Sequence, residues 1–204
     1  MLIKIHPDNP SQRQVLKVTE TLERGGIIIY PTDTVYGMGC DIKQTKAIEK
    51  IAALKGANPT NPDFSFIFHD LSQLSEYTSP IHNTIFKLMK RNLPGPFTFI
   101  LKANNHIPKL FKKHKKTVGV RIPDNNIVQE IVRELGRPVL TTSIHDADEI
   151  LEYTTDPELI YEKYRDIVDI MINGGYGNNE ASTVVDCTGD DPVLIRQGIG
   201  ELIY

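Results

Sequence analysis

The chain has 204 residues, 40% apolar and 24% charged, with 14 glycines and 13 prolines, which sets aside collagen-like and low-complexity readings. Its formal net charge of −3 excludes a uniformly basic or acidic protein, and no apolar run reaches the roughly 18 residues of a membrane helix. Cys40 and Cys187 stand far apart and outside any CxxC pattern, so neither a disulfide framework nor a cysteine zinc site is expected. The start, Met1 to Asp8, lacks the apolar core of a signal peptide, and a cytoplasmic protein is expected.

In chain order, Leu2–Ile5 alternates apolar and polar as a short edge strand does. Ser11 is placed to cap a helix carrying Val15, Leu16, Val18 and Leu22, and Gly25-Gly26 stops it. Ile27–Tyr30 is a continuous apolar run, hence a buried strand, ended by Pro31. A helix from about Lys43 to Leu54 turns Ile48, Ile51 and Leu54 to one face. A strand at Phe64–Phe68, a helix near Ile81–Arg91 and strands at Phe97–Lys102 and Thr117–Arg121 follow. Asn125–Leu135 reads as a helix closed by Gly136, Val139–Thr142 as a buried strand and Pro157–Tyr164 as a short helix. Ile167–Ile172, Thr183–Asp186 and Val193–Arg196 complete about nine strands and five helices. With no linker-like stretch between them, the pattern predicts one α/β domain over residues 1–204 with a mixed, twisted sheet flanked by helices. The least structured segments, Lys55–Asp63, Ser143–Thr155 and Asn173–Ala181, are where ligands tend to be held.

The small net charge hides an asymmetry. The 47 residues between Glu76 and Asp124 hold no acid and ten bases, which leaves 13 bases against 26 acids elsewhere. Such a field draws a polyanion or a phosphate-bearing ligand to one region. Lys112, Lys113, Lys115 and Lys116 taken alone read as a solvated face; the whole acid-free stretch points to RNA or a nucleotide.

There is no GxxxxGK[ST], both Gly37-Met38-Gly39 and Gly175-Tyr176-Gly177 lack the third glycine of a dinucleotide fingerprint, and no GxSxG elbow is present. The six histidines never pair at metal-ligand spacing, so no protein-bound metal and no covalent catalysis are predicted. What stands out is Tyr30-Pro31-Thr32-Asp33-Thr34-Val35-Tyr36-Gly37-Met38-Gly39. It sets two hydroxyls and a carboxylate where a sheet opens, with glycines that let backbone amides approach a ligand. The plainer alternative is that Thr32 and Asp33 form an Asx or ST turn.

PTDTVYGMG, LPGPFTFIL, VGVRIP, STVVD and IRQGIG, in this order, resemble the YrdC/YciO-like superfamily from about Ser11 to Ile199. The resemblance implies a twisted α/β sheet with a concave basic cavity. It also implies the reaction of L-threonine, bicarbonate and ATP, with magnesium accompanying ATP, to threonylcarbamoyl-AMP and pyrophosphate. The product serves threonylcarbamoylation of transfer RNA, and double-stranded RNA binding is known in the family. Residue by residue, Lys55 matches the family lysine facing carboxylate and phosphate. Thr32 and Thr34 would hold the threonine or its carbamate, and Arg121 its carboxylate. Ser143, Ser182 and Arg196 match nucleotide-side positions.

The sequence departs from the KxR…SxN signature of the dedicated synthases. Lys55-Gly56-Ala57 carries alanine where arginine belongs, and Ser143-Ile144-His145 carries histidine for asparagine. This pattern is similar to the YciO-type branch. Three readings follow: a threonylcarbamoyl-AMP synthase, a related enzyme activating another carboxylate or carbamate, and a non-catalytic RNA- or nucleotide-binding protein.

Overall fold

The computed structural model describes residues 1–56, 64–107, 117–144 and 152–204. The strands are β1 (Leu2–Lys4), β2 (Ile28–Tyr30), β3 (Gly37–Asp41), β4 (Ser65–Ile67), β5 (Phe97–Lys102), β6 (Thr117–Arg121), β7 (Val139–Ser143), β8 (Ile170–Asn173), β9 (Thr183–Asp186) and β10 (Val193–Arg196). They form one mixed sheet in the order β1-β8-β2-β3-β7-β4-β6-β5-β9-β10. The helices are α1 (Gln12–Glu23), α2 (Thr45–Leu54), α3 (Asn83–Asn92), α4 (Asn126–Leu135), the single turn α5 (Glu152–Thr155) and α6 (Pro157–Tyr164), with a 3-10 turn at Ser72–Glu76. The α/β class and the mixed sheet are as the sequence predicts, and β1 lies at an edge.

Two apolar cores form, one on each face of the sheet. Ile28 and Tyr30 join the core under α1 and α4, while Ile29 between them joins the opposite one. Ile170 and Ile172 divide from Met171 in the same way. Strands covered on both faces need apolar residues at every position, which is why these segments read as unbroken runs. α4 is fixed at both ends. The Asn125 side chain accepts from the Ile127 and Val128 amides at 3.1 and 3.3 Å, and Gly136 leaves the helix at φ +68°. Ser11 occupies the start of α1, but its side chain makes no capping bond.

Several expectations are corrected. Leu16 and Leu54 are exposed, at 41% and 43%, since the buried stripe of each helix is narrower than the apolar count suggests. Ile167 and Val168 both donate to the Tyr164 carbonyl and close the last turn of α6, so β8 begins only at Ile170. The largest omission is β3. Its Gly-Met-Gly-Cys-Asp run is a fully buried strand paired with β2 and β7. Its glycines serve packing rather than approach to a ligand. A Cβ on Gly39 would lie 2.4 Å from the Leu140 carbonyl oxygen, and Gly37 sits against the Tyr30 ring. Asp41 ends this strand fully buried, gripped by the Arg137 guanidinium at 2.6 to 3.0 Å.

Gly39→Ala therefore forces backbone apart at the sheet centre and is expected to cost about 1–3 kcal/mol. A urea titration checks it; an unchanged midpoint would mean that β2, β3 and β7 are less tightly registered than described.

Candidate functional site

β5, β6 and β9 alternate strictly, and β7 alternates as far as Thr141. Phe97, Phe99, Val118, Val120, Leu140 and Val185 enter one core. Their neighbours Thr98, Thr117, Gly119, Thr141, Ser143, Ser182 and Val184 face the other way. There they form the floor of a cavity of about 460 Å³. Seven hydroxyl side chains line it, together with Lys55, Arg121 and Arg196. Among the described residues no carboxylate does.

Each cation arrives on a different element. Lys55 follows the last residue of α2, and burial lowers its pKa from the ordinary 10.5. Arg121 ends β6. Arg196 ends β10 and donates to the Ser182 carbonyl at 2.8 Å, while the Ser182 hydroxyl pairs with Thr98 at 2.8 Å. Ser143 ends β7 at the rim.

Arg121 is only 5% exposed. Its Nη2 donates to Thr34 Oγ1 at 2.8 Å and to Asp33 Oδ1 at 3.3 Å. Asp33 Oδ2 in turn accepts the Asp124 amide at 2.9 Å. Thr32 Oγ1 donates to the Val35 carbonyl at 2.8 Å and accepts the Thr34 amide at 3.0 Å, closing an ST turn. Its one hydrogen being used, the 3.0 Å contact between the two threonine hydroxyls is donated by Thr34. Burial pushes the Asp33 carboxyl up against the opposing pull of Arg121, and burial likewise disfavours the Arg121 charge, which Asp33 supports. Arg121 Nε is buried with no partner.

The cavity thus brings together Lys55, Arg121, Ser143, Ser182 and Arg196. It does not include the two threonines. Thr34 is fully buried behind Arg121, and Thr32 lines a separate hollow with Tyr176 and Asn178. Both hydroxyls are spent on holding the turn and the arginine, so a direct grip on a substrate by Thr34 needs a rearrangement. The ion pair of Arg121 with Asp33 is buried. Lys112, Lys113, Lys115, Lys116, Ala57 and His145 lie outside the described residues. The hydroxyl floor (Ser65, Thr98, Thr117, Thr141 and Thr142) is missing from the sequence reading; period-two alternation in FTFILK and TVGVR was the signal for Thr98 and Thr117, whereas the consecutive Thr141 and Thr142 both line the cavity outside that period.

Among the described residues no three His, Cys, Asp or Glu side chains could hold a metal. Burial raises both cysteine thiols, Cys187 to about 12, and neither lines the cavity. No described helix is long and apolar enough to cross a membrane.

A mixed sheet with helices on both faces and a cationic, hydroxyl-floored cavity defines the class: an α/β protein with an open, positively charged pocket. The chain belongs to the Sua5/YciO/YrdC family, described as telomere recombination, whose model matches residues 20–198. The uncharacterized protein YciO of Escherichia coli K12 is 42% identical over 97% of this chain and 95% of its own length. The threonylcarbamoyl-AMP synthase of Bacillus subtilis is 33% identical over 91% of this chain but only 53% of its own. The crystal structure of E. coli YciO superposes with a TM-score of 0.89 at 40% identity, covering 98% of this chain and 97% of that one. The crystal structure of P. abyssi Sua5 complexed with L-threonine gives 0.84 at 25% identity, covering 97% of this chain and 57% of that one. The resemblance to the YciO-type branch seen in the sequence is therefore upheld, and the chain spans little more than half of the B. subtilis synthase and of the P. abyssi Sua5 chain.

Anion affinity that uses the Lys55 charge is fully present below its folded pKa and is lost as pH rises through it. Because that value lies below 10.5, binding of inorganic phosphate should weaken earlier than for a solvent-exposed lysine. Lys55→Arg should carry the plateau to higher pH. Calorimetric titrations between about pH 7 and 10 check this; identical profiles for both proteins would remove Lys55 from the anion site.

Proposed function

We propose that the cavity activates a small amino-acid-derived carboxylate with a nucleotide. In its most specific form the reaction converts L-threonine, bicarbonate and ATP into threonylcarbamoyl-AMP and pyrophosphate. The carrying observation is the convergence of Lys55, Arg121 and Arg196 on one hydroxyl floor without a lining carboxylate among the described residues. Support also comes from the shared family with a named threonylcarbamoyl-AMP synthase and from the fold shared with a Sua5 chain complexed with L-threonine.

In this reading the amino nitrogen of threonine adds to bicarbonate with loss of water. A carbamate oxygen then attacks the α-phosphorus of ATP and pyrophosphate leaves. Arg121 holds the amino acid's carboxylate, Thr34 and Thr32 steady Arg121, and Lys55 offsets charge between carbamate and phosphate. Ser143, Ser182 and Arg196 hold the nucleotide side, and magnesium enters with ATP as part of the substrate. The protein supplies position and charge, with no nucleophile of its own. A cytoplasmic site of action and supply of threonylcarbamoyl groups to transfer RNA belong to this reading.

The test is release of pyrophosphate from ATP, magnesium and bicarbonate with and without L-threonine. Threonine-dependent release is expected, and Lys55→Ala should lower it by about two to three orders of magnitude. Unchanged release by that variant would sink the role given to Lys55.

Ala57 and His145 in place of the signature arginine and asparagine favour a second reading, a non-catalytic protein that binds double-stranded RNA or a nucleotide. The nine bases of the acid-free stretch other than the buried Arg121 supply the positive charge for its partner. It predicts RNA affinity that falls steeply with salt, by about 0.9 in log–log slope per phosphate neutralised. Replacing Lys112, Lys113, Lys115 and Lys116 with alanine should flatten that slope. Salt-independent binding, or none at low salt, would leave the lysines as solvation.

A further inference from the structure

A guanidinium has five N–H donors, and its side-on fork for an oxyanion is made by Nε together with the nearer hydrogen of Nη2. In Arg121 both Nη2 hydrogens are taken, one by Thr34 at 2.8 Å and one by Asp33 at 3.3 Å. Nε is buried and unpartnered. No partner of Nη1 lies among the described residues. The three remaining hydrogens do not make a side-on fork, because Nε and Nη1 point to opposite sides of the guanidinium stem. An oxyanion that takes the fork must first share or replace one Nη2 contact.

The two contacts are unequal. Thr34 is the shorter, is fully buried, and is tied through Thr32 to the Val35 carbonyl. Asp33 is the longer, and its second oxygen is independently held by the Asp124 amide at 2.9 Å. If Oδ1 releases Nη2, the carboxylate keeps that partner and Arg121 keeps Thr34. The pair is also electrostatically one-sided: Asp33 is 10% exposed and faces Arg121, while Lys55 and Arg196 bring further positive charge to the cavity.

We infer that Asp33 is a positioning residue that stands in for the ligand: it occupies the Arg121 fork and compensates its buried charge until a carboxylate or phosphate oxyanion displaces it. A lone buried guanidinium is costly, so a cavity arginine kept ready for an anion needs a counter-charge that can let go. The inference deepens the proposed function by making Asp33 set the affinity of the same site, and it rests on Arg121 taking an oxyanion.

The experiment is calorimetric titration of Asp33→Asn with inorganic pyrophosphate and, separately, with L-threonine. Removing a like charge a few ångström from the incoming anion should tighten binding by about tenfold. Tightening with L-threonine alone assigns the fork to a carboxylate, and tightening with pyrophosphate alone assigns it to phosphate. A purely structural Asp33 predicts the opposite sign, because a loosened Arg121 binds anions less well. Unchanged or weaker binding of both probes overturns the inference.

Asp33→Ser is the second variant, carrying the same expectation. On the unmodified protein, arginine side-chain NMR reads the event directly, since either probe should shift the Arg121 Nε–H resonance. A resonance that neither probe moves counts against displacement. Because the readout is binding, a protein that releases no pyrophosphate with threonine, yet whose Asp33→Asn variant binds pyrophosphate more tightly, keeps this inference and loses only the proposed reaction.

Discussion

Arg121 is a positive charge with 5% exposure at the end of a central strand, and the neighbourhood of the site is built to make that tolerable. A buried charge is stable only when paired and hydrogen-bonded, and stripping its partner typically costs about 3–5 kcal/mol. The tight turn between β2 and β3 supplies the partners Asp33 and Thr34. The turn is held by Thr32 and by the Asn178 amide on the Thr34 carbonyl. β3 must then run straight into the sheet, and it does so only because glycine at 37 and 39 lets it lie against Tyr30 and Leu140. One electrostatic need thus explains a run of residues that reads from sequence as a ligand loop.

The fold was legible wherever burial imposes a simple period. β5, β6 and β9 have the bounds that alternation predicts, and α4 follows from Asn125 and Gly136 at its ends. β3 was not legible because two of its five residues are glycines, which carry no hydrophobic signal and favour turns in isolation. Leu16 and Leu54 misled because helical spacing shows that a residue shares a face, not how far the covering layer extends.

The candidate site was legible in its charges and not in its support. Lys55, Arg121, Ser143, Ser182 and Arg196 come from five separate segments, yet they meet in one cavity. Motif order, rather than spacing, signalled their meeting. Thr32 and Thr34 were assigned to substrate from the family resemblance, whereas the structure spends the Thr34 hydroxyl on Arg121 and the Thr32 hydroxyl on the turn itself. Asp33 was legible as a ligand-facing carboxylate or a turn former but not as the partner of Arg121, which lies 88 residues away in sequence.

The family relation and the geometry together describe a cationic cavity on a YciO-like fold, proposed to bind an anion, and the position of a bound carboxylate tests that account most directly. A crystal structure with L-threonine is the measurement. The account predicts the carboxylate on Arg121 Nε and Nη2, with Thr34 still bonded to the guanidinium and Asp33 turned to Asp124. A threonine whose carboxylate sits on Arg196 or Lys55, with the contact between Asp33 and Arg121 intact, would contradict it.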